Sequence, residues 1–281
     1  MTSGVLDVDL VRGRDGRTRV AQLIHQFPQR VTVPMYLDEN EPGRAHLCVQ
    51  NPSAGVFPGD RLQTRIHARA GTALYLTAQS ATQVFASHSG SETDHATAAV
   101  DITVSAGATV EYFPKTVIPH SGSDYRQTTT LTVELGGVYV GWESLAAGRI
   151  GHGERNRYRR CDLRTSVLTD GRVRARDRLL LQPVAGGVSG PGVLHGQDYL
   201  ATLIVVAPGQ DMDAMLSSLR AEAARHEPLR CGVSALPGGV GVMARVVVDR
   251  APTLTRIERA MRSVATHQLS GRAASSAAVR M

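Results

Sequence analysis

Histidines and carboxylates gather in one short segment of the sequence, SHSGSETDH at residues 87–95. The segment contains His88, Glu92, Asp94 and His95. Imidazole nitrogen combined with carboxylate oxygen suits borderline metals such as nickel or zinc. The spacing is equally typical of a solvated polar loop between two strands, and that interpretation is favoured. His88 and His95 are therefore weak metal-ligand candidates.

A second pattern places arginine at every other position of a predicted strand. The arginines are Arg172, Arg174, Arg176 and Arg178. Because successive side chains of a strand point to opposite faces, a regular strand carries all four on one face. That face could dock an acidic protein partner, or it could only keep sheet edges apart. Single-stranded nucleic acid is less favoured, since its sites interleave aromatics and Tyr158 is the one aromatic nearby.

Enzyme signatures are absent from the sequence. It contains no GxxxxGK[ST] phosphate loop, no GxSxG elbow and no HExxH helix. The glycine-rich GPGVLHG at 190–196 does not match the dinucleotide-binding fingerprint. We therefore expect a protein without catalytic activity of its own.

The composition is that of a globular protein, with 281 residues of which 42% are hydrophobic and 4% aromatic. No apolar run reaches the roughly 18 residues of a membrane span. The segment MTSGVLDVDL has neither the basic flank nor the apolar segment of a secretion signal, so we do not expect secretion. The three scattered cysteines predict a cytoplasmic protein. A net charge of +6 fits nucleic-acid binding, docking on acidic proteins, or merely an arginine-biased genome.

Strand signals dominate residues 5–207, where β-branched residues alternate between turn residues. Three similar segments, at 66–76, 102–112 and 131–141, place Gly71, Gly107 and Gly136 between two apolar runs. A strand, a tight turn and a return strand would explain each. The predicted fold is thus mainly β, with layered antiparallel sheets built from hairpin units.

Two helices are predicted in the C-terminal region. Residues 211–227 carry methionine and leucine at helical spacing behind an Asp211 cap. Residues 255–271 open with Thr255 and Glu258 at capping-box spacing. Two strands, near 229–235 and 240–248, are expected between them. We expect one domain over residues 1–270 and a frayed tail at 271–281.

Four sequence blocks resemble one known family. The segment EYFPKTVIPHSGSDYRQ at 111–127 is similar to a characteristic block of the urease accessory protein UreD family, also called UreH. Three further blocks agree in order: NPSAGVFPGDRL at 51–62, TAQSATQVF at 77–85 and WESLAAGRIGHGE at 142–154. Departures include Ala78, where the family usually has threonine, and Lys115, where an acidic or polar residue is common.

The resemblance implies a function and a set of partners. Members of the family are non-catalytic chaperones of nickel urease maturation, with a mainly β fold and two helices. They bind the urease apoprotein and UreF, which recruits the GTPase UreG carrying nickel. Nickel would be a transient cargo here rather than a tightly bound cofactor. A basic nucleic-acid-binding β protein remains the alternative.

Within the family-like blocks, four carboxylates are candidates for lining a nickel passage: Asp60, Glu111, Glu143 and Glu154. A divalent ion crossing a protein interior needs oxygen ligands that lower its desolvation cost without trapping it. Alternatively, Asp60 could bond its own backbone and Glu143 could pair with an arginine such as Arg149. Regular strands would also put Glu111 and Glu143 on opposite faces.

Overall fold

A computed structural model describes residues 2–51, 53–87, 95–183, 186–226 and 230–270, without the side chain of Ser270. Its strands are β1 (Ser3–Arg12), β2 (Thr18–Gln26), β3 (Arg30–Val31), β4 (Ala45–Gln50), β5 (Arg61–Ala68), β6 (Ala73–Ala78), β7 (Thr82–Val84), β8 (Ala96–Val104), β9 (Thr109–Phe113), β10 (Val117–Pro119), β11 (Asp124–Val133), β12 (Val138–Ala146), β13 (Arg160–Thr169), β14 (Arg172–Leu181), β15 (Tyr199–Val206), β16 (Arg230–Ala235) and β17 (Gly241–Val248). The helices are α1 (Met212–Ala224) and α2 (Ala251–Ser270).

Within these described ranges the strands form two stacked sheets. The smaller sheet has the order β14-β13-β11-β8-β5-β1-β2. The larger has the order β16-β17-β15-β12-β9-β6-β4-β3, with β10 and β7 attached beside β12. Apolar side chains such as Leu6, Ile102 and Leu131 fill the space between the sheets. The predictions of a mainly β fold, layered sheets and two helices are confirmed.

The predicted hairpin units are wrong in their pairing, although the repeat itself is present. β5 and β6, β8 and β9, and β11 and β12 each cross from the smaller sheet to the larger instead of pairing with each other. The strands of successive units then pair in parallel within each sheet: β5 pairs with β8 in the smaller sheet, and β6 pairs with β9 in the larger. The crossings turn at Gly71, Gly107 and Gly136, all with positive φ, a conformation that favours glycine.

Antiparallel pairing occurs at the margins of both sheets. β1 pairs with β2 and β13 with β14 in the smaller sheet, and β12, β15, β17 and β16 pair successively in the larger. Of these pairs, β1–β2, β13–β14 and β16–β17 are hairpins of consecutive strands. The sequence pattern did not separate such hairpins from the crossings, because a strand, a turn and a strand look alike in both cases.

The two helices cover the outer face of the larger sheet. Asp211 caps α1 by accepting hydrogen bonds from the backbone of Asp213 and Ala214, as predicted. α2 starts earlier than predicted, and Thr255 lies inside it with its hydroxyl bonded to the Ala251 carbonyl at 3.2 Å. The capping box is therefore wrong. Both predicted apolar stripes are confirmed, because Met215 and Met261 are buried against Trp142 of β12 in one cluster.

Candidate functional site

Glu143 is partly buried between the two sheets and lines a cavity there. The cavity measures about 130 Å³, and Tyr112, Tyr125 and Gln127 also line it. Gln127 on β11 of the smaller sheet donates a hydrogen bond of 2.5 Å to the Glu143 carboxyl group on β12 of the larger sheet. Burial raises the pKa of Glu143 to about 7. This carboxyl group can therefore exchange a proton near neutral pH.

Among the described residues that line the cavity, Glu143 supplies the one carboxyl group and Lys115 the one cationic group, and the other polar groups are neutral. The Tyr125 hydroxyl donates to the Gln127 amide oxygen at 3.0 Å, and the Gln127 amide nitrogen donates to the Thr129 hydroxyl at 3.2 Å. A second, smaller cavity continues past Glu143 toward Asp177 and Arg245. Such a lining can lower the desolvation cost of a passing cation without enclosing it in a rigid set of ligands.

Glu111 lies on the opposite face of the larger sheet from Glu143, as strand alternation predicted. It is 1% exposed and accepts hydrogen bonds from Arg44 at 2.8 Å and from Arg262 at 2.6 Å. The Arg262 guanidinium also lies 4.7 Å from the centre of the Tyr75 ring. Glu111 therefore anchors α2 to the larger sheet through a buried ion pair.

The same buried cluster extends to the segment before β4. Arg44 pairs with Asp38 at 3.4 Å and with Glu41 as well as with Glu111. His46 is fully buried beside it, and burial together with the Arg44 charge lowers the pKa of His46 to about 4. Sequence reasoning missed this cluster because Arg44 and Arg262 are 67 and 151 positions away from Glu111.

Asp60 and Glu154 each fix a loop. The Asp60 carboxylate accepts hydrogen bonds from the Phe57 backbone at 3.0 Å and the Thr2 backbone at 2.8 Å, which is the backbone alternative considered above. Glu154 pairs with Arg149 and accepts a hydrogen bond from the Ser121 backbone at 3.1 Å. The hydrogen bonds from Arg149 lower the pKa of Glu154 to about 2. Since Arg149 pairs with Glu154, the alternative pairing of Glu143 with Arg149 is wrong.

The histidine-rich segment falls largely outside the described residues, which exclude His88, Glu92 and Asp94. His95 is described and partly buried, and its carbonyl accepts a hydrogen bond from the Gly59 backbone at 3.0 Å. Among the residues that the structure describes, no three His, Cys, Asp or Glu side chains are grouped so as to hold a metal ion.

The arginine strand is β14, at the edge of the smaller sheet. A register shift opposite Val167 and Leu168 interrupts its alternation, so the prediction that all four arginines share one face is wrong. Arg176 and Arg178 stand opposite Ser166 and Arg164 on the outer face, whereas Arg172 stands opposite the buried Thr169. Arg174 donates to the Thr169 hydroxyl at 2.8 Å.

On the outer face, Asp162 organises two guanidinium groups. Its carboxylate accepts hydrogen bonds from Arg178 at 2.9 Å and from Arg164 at 2.7 Å, and these bonds hold the pKa of Asp162 well below its usual range. Both arginine side chains stay about half exposed, at 51% and 54%. They carry one more positive charge than Asp162 neutralises, so this patch can attract an acidic surface.

Two stacked sheets, one helical layer and a polar interior cavity define a β-layered protein whose described residues assemble no metal cage. The model of the family described as UreD urease accessory protein matches residues 2–281. A urease accessory protein UreD of Mycolicibacterium gilvum (strain PYR-GCK) is 45% identical over 95% of this chain and 94% of its own length. The chain belongs to the UreD urease accessory protein family.

More distant relatives carry the same description. A urease accessory protein UreD 2 of Streptomyces griseus is 34% identical over 96% of this chain and 92% of its own length. A urease accessory protein UreD of Cenarchaeum symbiosum is 28% identical over 96% of this chain and 94% of its own length. The family resemblance drawn from the four sequence blocks is confirmed. In the described part of the chain, neither helix is both long and apolar enough to cross a membrane.

Proposed function

We propose that this chain is a non-catalytic chaperone that binds the urease apoprotein and UreF, and through UreF the GTPase UreG, during nickel insertion in the cytoplasm. Membership of the urease accessory family over the length of the chain is the observation that carries the proposal. The sequence has no phosphate loop, so nucleotide hydrolysis would belong to a partner.

Nickel would cross this chain as cargo, by way of the cavity between the sheets. What supports this route is the placement of Glu143, an ionisable carboxyl group in a polar interior, next to Gln127 and Tyr125. Asp60, Glu111 and Glu154 already satisfy backbone groups or arginines, so their places in the route stay predictions with weaker support. His88 and His95 remain weak candidates.

The decisive experiment is reconstitution with and without this chain. Urease subunits, UreF and UreG are co-expressed with nickel, and urease activity and co-purification are measured. We expect activation and a complex only when the chain is present. Equal activation without it would overturn the proposal.

Glu143→Gln tests the route within the same system. We expect normal assembly with slower activation by nickel, because an amide cannot supply the negative charge. The matched control is Glu39→Gln, an exposed carboxylate outside the cavity. An assembled Glu143→Gln complex that activates urease like wild type would remove Glu143 from the route.

Nucleic-acid binding is the alternative function, and it has less support from the structure. The described outer arginines Arg164 and Arg178 flank an aspartate rather than aromatic rings on which bases could stack. Stable retention of the chain on single-stranded DNA, with no complex formed with urease or UreF, would favour that alternative.

A further inference from the structure

The larger sheet contains an opening beside β12. The pairing of β9 with β12 ends at Tyr112 opposite Gly141, and the pairing of β10 with β12 is found at Val117 opposite Leu145. Residues 113–116 and 142–144 lie between these pairs, and they are unequal in number. The neighbouring strand pairing is interrupted at the same level of the sheet. The pairing of β6 with β9 ends at Thr77 opposite Phe113, and the pairing of β7 with β10 begins at Thr82 opposite Val117. We call this opening the window.

The window separates two cavities. On one side is the inter-sheet cavity of about 130 Å³ that contains Glu143. On the other is a cavity of about 380 Å³ under α2, which contains Glu258. Five residues line both: Ser80, Ala81, Pro114, Lys115 and Ser144. The two spaces are therefore divided by a single layer of side chains.

The one lysine of the sequence stands in that layer. Lys115 makes no ion pair and no hydrogen bond with any residue that the structure describes. Carboxyl groups are present on both sides of it, Glu143 in the inter-sheet cavity and Glu258 under α2. Burial raises the pKa of Glu258, and the charges of Lys115, Arg262 and Arg259, which line the same cavity, oppose that rise.

We propose that Lys115 is the gate of the window, and that its ammonium group opposes the movement of a divalent cation between the two cavities. Like charges repel more strongly inside a protein than in water, so an ammonium in the window is a barrier to nickel. The flexible four-carbon stem lets the ammonium turn toward Glu258, which clears the window. This inference rests on the proposed nickel route, and it adds a closed and an open state to that route.

Cysteine labelling of the isolated protein tests whether the positive charge of Lys115 acts at the window, and it requires no urease. Ser80 is exposed and lines both cavities, so Ser80→Cys places a thiol at the window. Its modification is compared for an anionic and a cationic methanethiosulfonate of similar size. We expect the anionic reagent to react at least about threefold faster, and this preference to fall by at least about half with Lys115→Met but not with Lys115→Arg. Arg259 and Arg262 also line the cavity under α2 and are unchanged in both variants. Equal rates with Lys115 present would overturn the gate.

Reconstituted urease activation tests the gate in function. Lys115→Met should speed activation at limiting nickel, and Ala81→Trp, which fills the window, should slow it at least about tenfold. The matched control is Ala221→Trp at an exposed site on α1. If Lys115→Met and Ala81→Trp complexes both assemble and match wild type, the window carries no nickel. Failure of wild type to activate urease would instead contradict the proposed function, whereas the labelling result would still decide the charge of the window.

Discussion

Gln127 on the smaller sheet and Glu143 on the larger sheet are joined by a hydrogen bond of 2.5 Å inside the protein. The amide nitrogen donates, so the bond favours the ionised carboxylate, while burial favours the protonated form. Burial is the stronger influence, and the pKa of Glu143 rises to about 7. Two consequences follow for experiments on stability and on activation.

The first prediction concerns stability against pH. A carboxyl group whose pKa is raised from 4.5 to about 7 on folding stabilises the fold below pH 4.5, and this contribution is lost as the pH rises through 7. Glu143→Gln has no ionisable group at this position, so the variant does not lose stability as the pH rises through 7. We expect a gain over wild type of about 1–3 kcal/mol in the free energy of unfolding at pH 8, and almost none at pH 4. Urea denaturation at both pH values measures it, with Glu39→Gln as control. A gain of the same size at both would contradict the raised pKa.

The second prediction follows from the same group in activation. Only the ionised carboxylate attracts a cation strongly, so wild-type activation by nickel should fall as the pH drops from 8 to 6. The Glu143→Gln complex should be slow throughout, with a flatter pH profile between those values. The measurement is the initial rate of urease activation in the assembled complex, divided by that of the Glu39→Gln control. Parallel profiles for the two variants would show that another group sets the pH dependence.

The third prediction concerns the buried pair of Glu111 with Arg44 and Arg262. Removing one charge leaves two guanidinium groups buried without their shared carboxylate, which costs about 3–5 kcal/mol in comparable buried pairs. Glu111→Gln should therefore lower the free energy of unfolding by that amount, as measured by urea denaturation. The control is Asp15→Asn, which breaks an exposed pair with Arg19 and should leave the midpoint unchanged. Equal midpoints for both variants would contradict the structural role of Glu111.

The local features of this fold were predictable from the sequence, whereas its pairing was not. Alternation, turn glycines and the Asp211 cap depend on near neighbours, and the first helix and the two strands predicted near 229–235 and 240–248 agree with the structure. The choice between a hairpin and a crossing depends on residues in other units. Gly107, for example, donates to the Gly136 carbonyl of the next unit at 3.0 Å. The residue spacing within 102–112 alone does not indicate that this contact with the next unit forms.

The candidate site divides in the same way. Strand alternation correctly put Glu111 and Glu143 on opposite faces, and the glycine turn correctly suggested backbone bonds for Asp60. The counter-charges of Glu111 were not predictable, because they come from distant segments. The register shift in β14 also left no mark on the regular alternation of Arg172 to Arg178. That shift leaves Arg176 as the clearest test of the arginine face.

The fourth prediction concerns docking through that face. Arg176 is exposed and forms no ion pair with another described residue, so reversing its charge changes the surface and not the fold. Arg176→Glu should weaken the complex with one partner and make the remaining affinity less dependent on salt, because exposed charges are screened beyond roughly 8–10 Å. Arg256→Glu on the exposed side of α2 is the matched control. Partner affinity is measured by titration at low and at high salt. Unchanged affinity of Arg176→Glu at low salt would show that this arginine face contacts solvent and not a partner.

The last prediction concerns self-association along β2. This edge strand of the smaller sheet is exposed over most of its length, and Leu23 and Ile24 are 41% and 49% exposed. Phe27, directly after it, is 55% exposed. A long edge with apolar side chains and free backbone groups is a template for pairing with another chain. We therefore expect the isolated protein to associate as its concentration rises, and Ile24→Lys to reduce this association in light scattering.

Gln22→Lys adds the same charge to the same strand without removing an apolar side chain, so it should have a smaller effect. If the isolated wild type stays monomeric at high concentration, or if both variants act alike, apolar pairing at β2 is not what drives association.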